Sequence, residues 1–357
     1  MRTGLSPRQA WLTGGVLAGT ALTGTLVITG ASDVGTFIVA AVTLAGVAWI
    51  VSVATEALGQ HASSALTGVL QSTLGNLPEF FVVLFALRAG DRVVAETSLL
   101  GSIFANAFLA LGAVIMVGAH VAPDGIMRFD RRLPKDTSTL LLLAVFLFAL
   151  LGLSSRLGDR AGQHTEVISV VGSICLLAVY AMWLPRYLRE SEEVGVERER
   201  SEAAGAMTVP VAVALLAVGG VAAGLVSDWF VGALEPSLHV LHLSRTFAGL
   251  VIAAIAGNAV ENFAGVVQAN KGKSDLAISL VQNSVNQVAM VLYPVLVLVS
   301  LLFATHLTFV VNPVFIGALV LMALSLWQIT GDGQAYAFEG AALIVLFAIL
   351  GLIAFYD

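Results

Sequence analysis

Charge is the scarcest resource of this 357-residue chain: 17 Lys and Arg with 23 Asp and Glu make only 11% of it. Ordinary soluble domains carry roughly twice that fraction. Forty charged side chains cannot cover a water-soluble particle of this size, which excludes soluble enzymes and nucleic-acid binders. Cysteine is almost absent as well; the single Cys175 excludes a disulfide framework and with it the secreted disulfide scaffolds. No His-Glu-x-x-His or Gly-x-Ser-x-Gly motif occurs, so nothing supports an intramembrane hydrolase or any other enzyme. What is abundant is apolar: 58% of residues are hydrophobic and mean hydropathy is +0.94. The composition is that of an integral membrane protein, with the lipid bilayer as its solvent.

A bilayer core takes about 20 apolar residues per helix. Eleven such runs are readable, near 12–31, 35–55, 65–88, 94–119, 137–157, 166–188, 207–229, 246–269, 276–304, 307–328 and 337–356. They are too long for barrel strands of about ten alternating residues, so the expectation is an all-α integral membrane protein with about 11 transmembrane helices. The ninth run is expected to bend or end early at Pro294. Met1–Ala31 begins like a signal peptide, with Arg2 and Arg8 before an apolar stretch, but that stretch is long enough to span and is read as a retained helix. With the N-terminus inside, twelve Lys and Arg fall on the inner side and five on the outer, the bias expected of N-inside and C-outside. Arg189–Glu202 (RESEEVGVERERSE) is the most polar connection and reads as a solvated acidic linker.

The chain repeats itself. LGNLPEFF around residue 75 returns as AGNAVENF around residue 257, and an offset of 182 pairs Gly75 with Gly257, Asn76 with Asn258 and Glu79 with Glu261. The same offset, without a gap, pairs Gly90 with Gly272 and Ser102 with Ser284. Five helices separate the copies, an odd number, so the two must insert with opposite orientation. Inverted repeats that share a midplane site are a recurring plan of secondary transporters. The expected domains are an N-terminal helix (1–34), a first five-helix repeat (35–188), the linker (189–206) and a second, inverted five-helix repeat (207–357).

Glu79 and Glu261 fall near the middle of their runs, where an ionised carboxylate costs several kcal/mol unless it is paired, hydrated or protonated. Asn76 and Asn258 share a helical face with them. Gly75 and Gly257 weaken the helix just before each carboxylate, and Pro78 removes a backbone donor. Ser98, Ser102 and Asn106 line one face of the fourth helix. Ser279, Gln282, Asn283, Ser284, Asn286 and Gln287 form a polar band in the ninth, partly as helix–helix glue. Of these, Ser102, Asn106, Ser284 and Gln287 are the candidate supporting ligands. The six His lie at span ends, so the central set is oxygen only. Such a set suits a hard cation such as Ca²⁺ or Na⁺ and disfavours Zn²⁺ or Cu⁺. Two carboxylates can hold one divalent ion or protons but not both, a physical basis for exchange. Glu56 at the inner mouth, with Asp228 and Glu235 following the seventh helix at the outer, are candidate entrance acids.

Paired Gly-Asn-x-x-Glu motifs, the Gly101-Ser102-Ile103-Phe104-Ala105-Asn106 segment and Ser284-x-x-Gln287 resemble the calcium/cation antiporter superfamily, and within it the cation/proton exchangers. The resemblance implies an eleven-helix antiporter that exports Ca²⁺ and imports H⁺, with Glu79 and Glu261 as central ligands and no cofactor. Two departures bear on the coupling ion. Proton-coupled members commonly have His after the second motif's Glu, where this chain has Asn262. Leu77-Pro78-Glu79 looks more like the Leu-Pro-Glu of sodium/calcium exchangers. Sodium-coupled exchange (Na⁺:Ca²⁺ or Na⁺:H⁺) is therefore the nearest alternative, and a cation channel the more distant one. The expected partners are cations and lipid, no nucleic acid, with a homo-oligomer left open. The expected location is a bacterial cytoplasmic membrane.

Overall fold

The structure, a computed structural model, describes residues 6–59, 73–193 and 207–357. Eleven helices run through them: α1 (Pro7–Thr29), α2 (Asp33–Gly59), α3 (Leu77–Arg88), α4 (Arg92–Val121), α5 (Arg132–Leu157), α6 (Thr165–Glu193), α7 (Val209–Leu241), α8 (Arg245–Asn270), α9 (Ser274–Ser300), α10 (Pro313–Thr330) and α11 (Ala337–Tyr356). Among the described residues nine of these are long and apolar enough to cross a bilayer, and α8 makes ten if its two inclined stretches count as one span. The remaining helix, α3, has 12 residues, about 18 Å at 1.5 Å per residue, or roughly half a bilayer core. Among the described residues the fold is all-α apart from one pair of three-residue strands, β1 (Ile126–Arg128) and β2 (Gln334–Tyr336). These pair antiparallel with Met127 opposite Ala335.

The 182-residue offset reappears in the backbone. α3 ends at Arg88 and α8 at Asn270, while α4 begins at Arg92 and α9 at Ser274. The turns between them pivot on Gly90 (φ 82°) and Gly272 (φ 72°), a left-handed conformation that costs glycine nothing. Each second helix then widens into a π-helical turn, Ala105–Ala110 in α4 and Val288–Leu292 in α9. Insertions of this kind inside α-helices gather at functional sites. The strands, 208 residues apart, lie outside this symmetry.

Three boundaries differ from the sequence expectation. The run 65–88 is not one regular helix over its described part: residues 73–75 are helical, Asn76 turns (φ −78°, ψ 7°), and α3 starts at Leu77 with Pro78 in its first turn. Proline suits a helix start because the N–H it lacks would be unpaired there anyway. Next, α7 does not stop near residue 229 but continues to Leu241, so Asp228 and Glu235 lie within it rather than after it. Finally, α9 does not end at Pro294, which stands at the start of the helical segment Tyr293–Ser300 just after the π turn. Of the expected linker, 189–193 continues α6; residues 194–206 lie outside the described residues.

Small residues let the central helices approach backbone to backbone, as membrane packing demands. α4 crosses α8 where a Cβ on Gly101 would overlap the Leu250 carbonyl and one on Gly249 would overlap the Thr97 hydroxyl. Further along, α4 meets α11 at Gly112 and Gly340; a Cβ on either would lie 2.5–2.6 Å from the other's carbonyl oxygen. The outer helix α1, by contrast, has open space around Gly14. We therefore expect Gly101→Ala to destabilise the protein by about 1–3 kcal/mol or more, the cost of forced overpacking, and Gly14→Ala to leave the melting temperature unchanged. Thermal unfolding in detergent monitored by circular dichroism checks the pair; equal melting temperatures would contradict this crossing.

Candidate functional site

The turn at Asn76 does more than shorten α3. It makes Glu79 the third residue of that helix, where unpaired N–H groups and the helix dipole favour a negative side chain. Glu79 is 2% exposed. Its Cα and Cβ lie against Gly257, whose absent side chain would sit 3.6 Å from the Glu79 Cβ. The acid of the first motif thus packs on the glycine of the second. From α7, the Ser227 hydroxyl donates to the Pro78 carbonyl at 3.3 Å.

The second motif is held by a chain of polar side chains across three helices. Asn258, 1% exposed on α8, donates through Nδ2 to the Ser102 hydroxyl at 2.7 Å and to the Ala254 carbonyl at 2.9 Å. Its Oδ1 accepts from Asn106 Nδ2 at 2.9 Å, and the same Nδ2 reaches the Ser284 hydroxyl at 3.1 Å. With both nearby acceptors drawn to its nitrogen, Asn106 keeps a buried Oδ1 that no hydrogen bond satisfies among the described residues. Ser98, one turn before Ser102, likewise has a buried hydroxyl without a partner there. Bare buried oxygens are costly in an apolar interior.

A helix N-terminus contributes about 0.3–2 kcal/mol to a carboxylate, less than the several kcal/mol that burying a bare charge costs.

Most of the expected residues are brought together. Asn258, Ser102, Asn106 and Ser284 form one network. Asn76 is buried three residues before Glu79, and Gln287 lies 3.5 Å through Oε1 from the Thr73 hydroxyl. Gly75 is buried beside the turn. The entrance acids are not part of this cluster. Asp228 is exposed, and Glu235 is exposed and paired with Arg245, with His239 4.0 Å away. The side chains of Glu56 and Glu261 lie outside the described residues, although the backbone of both is helical. The two stretches of α8, Arg245–Ala259 and Asn262–Asn270, are inclined by 56° on either side of position 261. Asn262 has a buried Oδ1 with no hydrogen-bond partner among the described residues.

Thr137, Thr330, Tyr180 and Tyr187 are partners of the polar band that lie outside the polar runs of the sequence. Gln282 is tied to Thr137 of α5 (3.0 Å) and Thr330 of α10 (3.3 Å), which makes it glue between helices. Gln287 donates to the Tyr180 hydroxyl of α6 at 3.3 Å, and Asn283 to Tyr187 at 2.5 Å. Tyr180, Trp183 and Tyr187 are spaced three and four apart, a single helical face, and that spacing is the signal by which they could be found.

Apolar spanning helices, one broken at Asn76 and one bent in α8, around a buried polar network define a membrane transporter rather than an enzyme. The comparisons with known proteins agree. The sodium/calcium exchanger protein family model matches residues 32–185 and 211–356. A "Ca(2+)/H(+) antiporter ChaA" of Bacillus subtilis is 28% identical, over 88% of this chain and 90% of its own. A "Vacuolar calcium ion transporter" of Schizosaccharomyces pombe is also 28% identical, over 90% of this chain and 79% of its own. Among solved structures, native YfkE superposes with a TM-score of 0.82 at 26% identity, covering 97% of this chain and all of that one. The chain belongs to the sodium/calcium exchanger protein family.

Within that fold, the Asn258 network makes a specific demand. Asn258→Ala takes the donor from the Ser102 hydroxyl and one of the two acceptors from the Asn106 amide nitrogen, and a buried unsatisfied group costs about 1–3 kcal/mol. We expect a lower melting temperature for Asn258→Ala and partial recovery in the double variant Asn258→Ala/Asn106→Leu, which removes the amide that lost an acceptor. Additive losses in this double-mutant cycle would contradict the network.

Proposed function

We propose that this protein is a secondary active antiporter that exchanges Ca²⁺, or a related hard cation, for protons by alternating access at a midplane site built on Glu79 and Glu261. The observation that carries the reading is the burial of Glu79 at a half-helix N-terminus against Gly257, which brings the two motifs to one place. Asn76 and Asn258 are the amide partners of the two acids. Ser102, Asn106, Ser284 and Gln287 supply neutral oxygens, and Gly75 and Gly257 permit the helix breaks. Relatives named as Ca²⁺/H⁺ antiporters over about nine-tenths of the chain support the choice of ions.

The exchange follows from charge. Two carboxylates neutralise one divalent cation, or two protons neutralise the carboxylates. Either loaded form presents a site without net charge, and the empty doubly ionised form is the one the bilayer interior opposes most strongly. Protons and Ca²⁺ therefore compete for the same oxygens, so cation affinity falls as pH falls. The two halves, 35–188 and 207–357, are the inverted repeats that would alternate about the site, behind the helix of 1–34 and joined by the acidic linker 189–206. We place the N-terminus inside and the C-terminus outside, in a bacterial cytoplasmic membrane. Glu56, Asp228 and Glu235 are the candidate acids of the access routes, with Glu235 held by Arg245. Sodium coupling is the second reading, favoured by Leu77-Pro78-Glu79 and by Asn262 where a His is common.

The test is ⁴⁵Ca²⁺ uptake into proteoliposomes with an acid interior and no sodium. Accumulation against the calcium gradient that a protonophore collapses is the expected result. Flux that appears only with a sodium gradient would select the second reading, and purely downhill flux a channel. Glu79→Gln and Glu261→Gln are each expected to abolish exchange while the protein stays folded and monodisperse. Normal transport by either variant would overturn the two-carboxylate site.

A further inference from the structure

We propose that Tyr180 of α6 is a positioning residue that fixes which end of the Gln287 amide faces the cation. The inference rests on Gln287 acting as a cation ligand, as argued above. An amide side chain has an oxygen end that attracts a cation and an N–H₂ end that repels it, and the two differ little in shape. Gln287 is 5% exposed. Its Nε2 donates to the Tyr180 hydroxyl at 3.3 Å, and its Oε1 is turned toward Thr73, one helical turn before Asn76. The hydroxyl holds the nitrogen end on the α6 side and so leaves the oxygen end toward the segment that carries Asn76 and Glu79.

The hydroxyl is set rigidly enough for this role. Along one face of α6 the Tyr180 ring packs tilted by 46° on Trp183 at 5.4 Å, Trp183 stacks on Tyr187 at 4.6 Å, and Tyr180 is 9% exposed. Tyr187 makes the equivalent bond to Asn283, one turn before Gln287 on α9. That second bond packs the same two helices but reaches an amide farther from Thr73. It therefore serves as an internal control for packing.

The test compares full-length Tyr180→Phe, Tyr187→Phe, Gln287→Ala, Gln287→Glu and Tyr180→Phe/Gln287→Glu. Two readouts are used: ⁴⁵Ca²⁺ uptake kinetics in proteoliposomes, and Ca²⁺ titration calorimetry in detergent, which needs no turnover. Tyr→Phe keeps the packed ring and removes only the hydroxyl. Losing one hydrogen bond of ordinary strength predicts a rise of about fivefold in KM and Kd for Tyr180→Phe, with maximal rate retained and Tyr187→Phe unchanged. In the Gln287→Glu background both ends of the side chain are oxygen, so adding Tyr180→Phe is expected to leave Kd unchanged. Wild-type KM in Tyr180→Phe while Gln287→Ala raises it would overturn this inference and leave the ligand role of Gln287 standing. So would equal effects of the two Tyr→Phe variants, or a Tyr180→Phe effect that persists in the Gln287→Glu background. Wild-type KM in Gln287→Ala would overturn the ligand role and this inference with it.

Discussion

The cost of a carboxylate in a place that excludes water governs this structure. Glu79 is almost fully enclosed, and a helix N-terminus offsets only part of the penalty for its charge. A stable protein could avoid that penalty with an apolar side chain. Keeping the acid makes the site's electrostatic balance depend on what occupies it, which is the property a transporter needs. The broken helix at Asn76, the glycine at 257 and the bare oxygens of Ser98 and Asn106 all gather at that acid or along the helix beside it.

The polar side chains of α4, α8 and α9 could not meet without close backbone approach. The α4–α8 crossing at Gly101 and Gly249 and the α4–α11 crossing at Gly112 and Gly340 leave no room for a methyl group. This closeness brings Asn258 within 2.7–2.9 Å of Ser102 and Asn106. Packing and chemistry are therefore one constraint here: a helix pair separated by one more layer of carbon could not share those hydrogen bonds.

Much of this is legible in the amino-acid sequence. The repeat offset of 182 anticipates the matched ends of α3 and α8, the matched starts of α4 and α9 and the paired glycine turns, because glycine at a left-handed turn is a local requirement visible in the residue itself. The cluster of Asn258, Ser102, Asn106 and Ser284 follows from polar residues in apolar runs, which must find partners somewhere. Two kinds of feature are not legible. Helix length in a membrane is set by packing as well as by hydropathy, so α7 runs on past Asp228 and Glu235 although those acids look like an end. Contacts made by a single hydroxyl on a distant helix, such as Tyr180 on Gln287 or Ser227 on Pro78, leave almost no trace in local pattern. The three-residue strands are equally silent, since their pairing joins segments 208 residues apart.

The departures from symmetry are as informative as the symmetry. Ser102 and Ser284 correspond, and so do the two π turns, but Asn106 corresponds to Val288 and Gln287 to Ala105. Asn106 of the first half and Gln287 of the second are thus amides without a counterpart, at positions one residue apart in register. A π turn rotates the helix that follows it relative to the helix before it, and in both halves it begins within a residue or so of that amide. The two amides are held by different partners, Asn106 in the Asn258–Ser284 network and Gln287 beside Thr73. The proposed exchange site would then be symmetric in its charges and asymmetric in its neutral ligands: the carboxylates would hold the same ion from either face of the membrane, while the amides would give the two faces different affinities for it. A difference in affinity between the two faces lets a site built from near-identical halves bind tightly on one side and release on the other.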